Sequence, residues 1–126
     1  MQPSDASDGT LDPAALKAIR ELDAGNTAGL LGQVVAMYLE AAPPLIRQIE
    51  DGLASRDAGG VKFAAHTLKS SSANLGARRL AELCAALEQS ARGGSLPDGT
   101  GSIAELQREF EAVRRALEHE TGRSAA

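Results

Sequence analysis

The sequence predicts an all-α protein, an antiparallel up-down-up-down four-helix bundle with a short extra N-terminal helix. Apolar residues recur at three- and four-residue spacing along most of the 126 residues. Aromatic residues make up only 2% and Trp is absent, so the core must use Leu, Ile, Val and Ala, which favours close-packed helices over a sheet. Frequent glycines divide the apolar segments by short connections, which favours a bundle over an intermolecular coiled coil.

The composition limits the class of protein. A chain of 126 residues, 43% of them hydrophobic, is long enough for one domain and too short for two ordinary ones. The formal net charge of −4 argues against nucleic acid as the main partner. No apolar run approaches the roughly 18 residues of a membrane span, and the N-terminus lacks a secretory pattern. We therefore expect a cytoplasmic protein without a membrane partner, with a flexible lead-in at 1–10, one domain at 11–120 and a flexible tail at 121–126.

Two apolar-periodic segments fill the first half of the chain. Asp12 followed by Pro13 is a helix-start pattern, because a capping oxygen precedes a proline at the first helical position, and Gly25 is the expected stop. The buried edge of this short helix is predicted at Leu16, Ile19 and Leu22. The segment from about 26 to 55 is longer. Pro43-Pro44 interrupts it, so it forms either one kinked helix or two abutting helices.

The next helix carries the most informative stretch of the chain. On a helical wheel with about 100° per residue, six residues share one face, and we expect this stripe to be buried in the core. They are Val61, Ala64, Ala65, Leu68, Ser72 and Leu75. His66 lies roughly 140° from the centre of that stripe and should point toward solvent. Lys62 and Lys69 flank it on the same face. The neighbouring Ser70 and Ala73 are too small to cover the ring.

Capping residues and glycines predict the limits of the last three helices. Asp57 caps the helix of His66, and Gly76 ends it so close to the next helix that the two must form an antiparallel hairpin. Gly93-Gly94 close the fourth helix, and a capping box of Ser102 and Glu105 begins the fifth. The buried stripes are predicted at Leu80, Leu83, Cys84, Leu87 and Ala91, and at Ile103, Leu106, Phe110, Val113 and Leu117.

The surroundings of His66 suit an imidazole that accepts a phosphoryl group. A nucleophilic ring nitrogen must be neutral and unhindered, and nearby positive charge favours the neutral ring over imidazolium. Lys62 and Lys69 can also stabilise the negative charge of an incoming phosphoryl group. A lone exposed histidine is more often an ordinary surface residue, so this interpretation depends on the residues around it.

The stretch from His66 to Ala77 resembles the phosphoacceptor motif of histidine phosphotransfer (HPt) domains. The resemblance is carried by His66-Thr67-Leu68-Lys69-Ser70-Ser71-Ser72 and Leu75-Gly76-Ala77. The family pattern is roughly His-x-Leu-Lys-Gly-small-small, with a glycine at the position of Gly76. Ser70 departs from the usual glycine but is also small. The resemblance continues through the next helix to Arg92, and a weaker helical similarity extends from about Leu11 to about Glu120.

On this resemblance, the long second segment is one kinked helix and the protein is a phosphorelay carrier, not an enzyme. His66 would accept a phosphoryl group from the aspartate of a response-regulator receiver domain and pass it to another receiver, with Lys69 as electrostatic support. The residues expected to contact a receiver or a (hybrid) sensor histidine kinase are Lys62, Ser70, Ala73, Glu88 and Arg92. The chain would need no cofactor or metal of its own, since Mg²⁺ belongs to the receiver, and a monomer would leave His66 accessible.

Other interpretations remain. The chain could be the phosphoacceptor domain of a larger hybrid or chemotaxis-type sensor kinase, or a non-catalytic helical adaptor. A complete kinase is disfavoured because no Gly-rich nucleotide loop follows the bundle. A metal hydrolase is disfavoured because His66 and His119 have no carboxylate at ligand spacing. Whether Glu88, Gln89 or Arg92 contacts the phosphoryl site stays open, because a charged residue at a helix flank is more often simply solvated.

Overall fold

A computed structural model describes residues 9–22 and 29–122, and these residues form five α-helices. The helices are α1 (Pro13–Leu22), α2 (Leu30–Ser55), α3 (Ala58–Asn74), α4 (Arg78–Arg92) and α5 (Gly99–Thr121). α2 packs on α3, α3 on α4, α4 on α5 and α5 on α2, so the four longer helices close a bundle. The predicted all-α bundle with a short extra helix is therefore confirmed. The expected stop at Gly25 and most of the expected flexible ends lie outside the described residues.

α1 lies at the end of the bundle where α3 finishes and α4 begins. The backbone N–H of Asp12 donates to the carbonyl of Gly76 at 2.8 Å, and Arg20 donates to a backbone carbonyl in the last turn of α5 at 3.2 Å. Leu16 is buried, but Leu22 is 77% exposed, so the prediction that it joins the buried edge is wrong. Leu22 follows Leu16 by six positions, which places it about 120° away around the helix.

α2 is one continuous helix through Pro43-Pro44, as the resemblance implied. The two prolines remove backbone donors, but buried residues on both sides of them keep the two halves packed on the bundle: Leu31, Val35, Tyr38, Ala42, Ile46, Ile49 and Leu53. The hydroxyls of Tyr38 and Ser72 lie 2.7 Å apart in the interior and join α2 to α3. This buried hydrogen bond fixes how the two helices are aligned.

α3 and α4 form the predicted antiparallel hairpin. The Asp57 carboxylate accepts from the N–H of Gly60 at 3.1 Å, so the predicted cap is present. The whole predicted stripe of α3 is buried. Gly76 has φ +80°, a left-handed conformation that side chains other than glycine rarely adopt, and the chain turns there within three residues.

α5 begins earlier than the sequence predicts. Its first residue is Gly99, with Asp98 at the N-cap, and Ser102 lies inside the helix, so the predicted start at a Ser102 capping box is wrong. A β-carbon at Gly99 would lie 3.2 Å from the β-carbon of Leu53. The glycine therefore lets α5 begin in close contact with α2, and this packing overrides the local capping pattern. The predicted buried stripe of α5 is confirmed.

Candidate functional site

His66 lies in the middle of α3, on the face directed away from the core. Its side chain is 59% exposed, whereas its neighbours Ala65 and Leu68 are fully buried. The alternation follows from the helical period, which places residues one and two positions apart on different faces. The buried neighbours hold the backbone of His66 in place while its ring faces solvent.

Glu88 of α4 lies beside the ring. Its Oε2 atom is 2.9 Å from Nδ1 of His66, and its side chain is only 6% exposed. The sequence places Glu88 at the flank of the apolar stripe of α4, where solvation is the usual outcome. The packing of α4 on α3 instead turns this carboxylate inward, beneath the imidazole.

Two cations complete the cluster around Glu88. Lys69 Nζ lies 2.6 Å from Oε1, and a guanidinium nitrogen of Arg92 lies 2.8 Å from Oε2. A buried charge is costly unless it is paired and hydrogen-bonded, and these donors offset that cost. The hydrogen bond from Lys69, followed by the contact with His66, holds the pKa of the Glu88 carboxyl below its usual value. Glu88 is therefore ionised at neutral pH.

The cluster selects one tautomer of the His66 ring. An ionised carboxylate can only accept hydrogen bonds, so Nδ1 of His66 donates to Glu88. In a neutral ring the other nitrogen then carries the lone pair, so Nε2 is the ring atom that is able to act as a nucleophile. The sequence analysis placed Lys62 and Lys69 beside the ring and left open whether Glu88, Gln89 or Arg92 contacts the phosphoryl site. In the structure Glu88 contacts the imidazole directly, and Lys69 and Arg92 pair with this carboxylate.

The remaining predicted residues lie on the surface around this cluster. Lys62, Ser70 and Ala73 are exposed on α3, and the residue that the structure brings to hydrogen-bond distance of the His66 ring is Glu88. Gln89, the other sequence candidate, is exposed on α4. The sequence analysis missed Phe63, which is 62% exposed. Phe63 precedes His66 by three residues on the same helix, and this spacing could have indicated that the two side chains are neighbours on the surface.

The described residues contain no group of three or more His, Cys, Asp or Glu side chains that could hold a metal ion. Over residues 9–22 and 29–122, no helix has both the length and the hydropathy that a membrane span requires.

A groove of about 590 Å³ lies between α2 and α5, beside Leu53, Arg56 and Gly99, and neither His66 nor Glu88 lines it. The ring of His66, whose side chain is 59% exposed, lies on the surface outside this groove.

Comparison with known proteins places this geometry in a family. The family model described as "Hpt domain" matches residues 33–116. A stretch of 75 residues, 58% of this chain, is 39% identical to the Sensor protein TorS of Escherichia coli (strain K12). That stretch corresponds to only 8% of TorS, so the chain spans a small part of the length of this relative.

Two solved structures are similar to the whole bundle. Histidine-containing phosphotransfer protein B (HptB) from Pseudomonas aeruginosa PAO1 is 32% identical, with a TM-score of 0.74 over 91% of this chain and 96% of that protein. A rice protein described as a histidine-containing phosphotransfer protein is 22% identical, with a TM-score of 0.76 over 92% of this chain and 85% of that one. The rice protein supports the fold alone. From the family match and the likeness to HptB, the chain belongs to the Hpt domain family.

Proposed function

We propose that this chain is a phosphorelay carrier, in which His66 accepts a phosphoryl group from the aspartyl phosphate of a receiver domain and passes it to another receiver. The observation that carries the proposal is the contact of 2.9 Å between His66 Nδ1 and the buried Glu88 carboxylate. This contact directs the lone pair to Nε2 of an exposed ring, which is the state that nucleophilic attack on phosphorus requires.

The reaction needs little covalent chemistry from this chain. Nε2 of His66 forms a bond to phosphorus, the bond between phosphorus and the aspartyl oxygen breaks, and its electron pair stays on the aspartate. Catalysis of such transfers comes from positioning and from stabilising the charge of the phosphoryl oxygens. Lys69 is 32% exposed and Arg92 is 60% exposed, so both long side chains can turn from Glu88 toward a phosphoryl group on His66.

The exposed residues around the ring fit a docking surface for the partner. Phe63 offers apolar area next to His66, and the small Ser70 and Ala73 permit close approach. Lys62 and Arg92 add positive charge to the rim of the site. We expect the receiver to bring the Mg²⁺ ion, and we expect this chain to act as a cytoplasmic monomer, because a dimer through this face would cover His66.

The TorS match favours a second arrangement with the same chemistry. Because the matched stretch corresponds to 8% of a sensor protein, the chain could serve as the phosphoacceptor domain within a hybrid kinase. The adaptor interpretation has less support, since a protein without chemistry needs no carboxylate buried against an exposed imidazole. Hpt domains are carriers and not kinases, so neither arrangement gives this bundle an ATP-dependent activity of its own.

The proposal is tested with a radiolabelled, aspartyl-phosphorylated receiver domain and Mg²⁺. The label should move to the wild-type chain as an acid-labile, base-stable adduct, and His66→Gln should receive none. His119→Gln is the matched control, because His119 is an exposed histidine on α5 outside the cluster. It should be labelled like the wild type. Equal labelling of the His66→Gln variant and the wild type would overturn the assignment of His66.

A further inference from the structure

We propose that Glu88 keeps the Nδ1 proton on phosphorylated His66, so that the phosphohistidine of this chain persists as an imidazolium and is short-lived. The inference rests on the proposed phosphotransfer at His66 and concerns the state that follows it. It assigns to Glu88 a positioning role that sets how long this chain stores a phosphoryl group.

The geometry allows the carboxylate contact to survive phosphorylation. Glu88 binds Nδ1, whereas the phosphoryl group attaches to Nε2 across the ring. The ring is 59% exposed, so the added group can extend into solvent. Glu88 is buried on α4 and the neighbours Ala65 and Leu68 are fully buried, so the carboxylate and the backbone of His66 are both held in place.

The charges around the ring strengthen this contact after transfer. Lys69 of α3 and Arg92 of α4 pair with Glu88 beside the ring, and Lys62 is exposed one helical turn before His66 on α3. α2 packs on the other flank of α3, and within the described residues the ion pair of His66 is the one with Glu88. When Lys69 and Arg92 turn toward the phosphoryl oxygens, they leave Glu88. The Nδ1–H group of His66 then remains as a hydrogen-bond donor to the buried Glu88 carboxylate. Losing that proton would leave a nitrogen lone pair against a negative charge.

The retained proton makes transfer reversible without any proton movement. In the forward step, Nε2 bonds to phosphorus, the aspartyl phosphate bond breaks, and Nδ1–H stays in place, which leaves an imidazolium. In the reverse step, an aspartate oxygen attacks phosphorus, the P–N bond breaks, and its electron pair returns to Nε2. In hydrolysis, water attacks phosphorus and its proton leaves with the phosphate. In the reverse step and in hydrolysis the ring departs as neutral imidazole, a far better leaving group than imidazolate.

The inference is tested on phosphohistidine made with phosphoramidate, a small-molecule donor that needs no receiver. The decay of the adduct is followed by intact-mass spectrometry over a range of pH, and Nδ1 protonation by ¹⁵N NMR. The variant Glu88→Gln keeps the shape of the side chain but removes its charge. Glu82→Gln is the matched control, because Glu82 is an exposed carboxylate on the same helix.

We expect the Glu88→Gln phosphohistidine to decay up to about tenfold more slowly at neutral pH, the ratio reached when the wild-type ring is almost fully protonated and about one variant ring in ten still carries the Nδ1 proton. Its decay should accelerate as the pH falls, whereas the wild-type and Glu82→Gln rates should change little. Equal lifetimes and pH profiles for wild type and Glu88→Gln would overturn the inference. A helical circular dichroism spectrum shows whether Glu88→Gln folds.

The wild type alone also tests the inference, whatever the fate of the variant. ¹⁵N NMR of folded phospho-protein should show Nδ1 protonated at a pH at which the urea-unfolded phospho-protein has lost that proton. An unprotonated Nδ1 in the folded chain would overturn the inference and leave the proposed function standing. If neither phosphoramidate nor any phosphorylated receiver modifies His66, the proposed function fails, and this inference fails with it.

Discussion

Gly76 joins the functional hairpin to the N-terminal segment, and its replacement by alanine should destabilise the fold without touching the chemistry. It adopts φ +80°, and a β-carbon there would lie 2.8 Å from both the backbone nitrogen and the backbone oxygen of Asp12. These are backbone atoms, so they cannot rotate away as the tip of a long side chain could. The Asp12 segment would have to move, and the hydrogen bond from its N–H to the Gly76 carbonyl would be lost.

The size of the effect follows from these terms. A left-handed conformation costs a residue with a β-carbon about 1–2 kcal/mol, and the lost backbone hydrogen bond costs about 0.5–1.5 kcal/mol. Alanine restricts the unfolded chain, which returns about 0.4–1 kcal/mol. Gly76→Ala should therefore lower the free energy of unfolding by about 0.5–3 kcal/mol, and by more if buried Leu11 leaves the core.

Gly94→Ala provides the matched control for this measurement. Gly94 has φ +74°, and nothing lies within 4 Å of the position of an added β-carbon. It therefore carries the same backbone strain without the collision, and urea unfolding should find it about 1 kcal/mol more stable than Gly76→Ala. Equal losses in the two variants would refute the argument from the Asp12 contact. Phosphoryl transfer to His66, about three helical turns away along α3, should be unchanged in both.

Further predictions concern the core and the cluster. Leu68→Ala truncates a fully buried side chain and should cost about 2–5 kcal/mol in urea unfolding, whereas His66→Gln should leave stability nearly unchanged because that ring is 59% exposed. Lys69→Ala should slow phosphoryl transfer in the receiver assay without abolishing it, since Arg92 remains on Glu88; an unchanged rate would contradict its role. Folding lowers the pKa of the Glu88 carboxyl, so ionised Glu88 stabilises the fold at pH values above its pKa in the unfolded chain. This stabilisation is lost as the pH falls through the pKa of Glu88 in the folded chain. The stability difference between wild type and Glu88→Gln should therefore shrink in acid, as urea unfolding at several pH values would measure.

The parts of the fold that the sequence predicts well are those set by local periodicity. The six residues of the α3 stripe are all buried, because a helical wheel contains the information that decides which face of an amphipathic helix is covered. The Asp57 cap and the turn at Gly76 are also local, since each depends on a few neighbouring residues. The exposure of His66 follows from the same wheel.

The features that sequence analysis missed depend on contacts between helices. The Ser102 capping box is a valid local pattern, yet α5 begins at Gly99, where the chain meets Leu53 of α2. Leu22 is apolar but falls outside the contact between α1 and the bundle. The depth of Glu88 depends on how closely α4 approaches α3, which no spacing within α4 encodes.

The position of Glu88 is better explained by function than by stability. Replacing buried ion pairs with apolar residues of similar volume is often neutral or stabilising, so a bundle does not need a carboxylate at this position to fold. Lys69 and Arg92 offset its burial, but both could be satisfied by water at the surface. The contact that water cannot replace is the one with His66, because only a fixed acceptor beside Nδ1 selects the tautomer with its lone pair on Nε2. The imidazole of His66 and its carboxylate come from different helices, so the packing of α3 on α4 sets which ring nitrogen carries the lone pair.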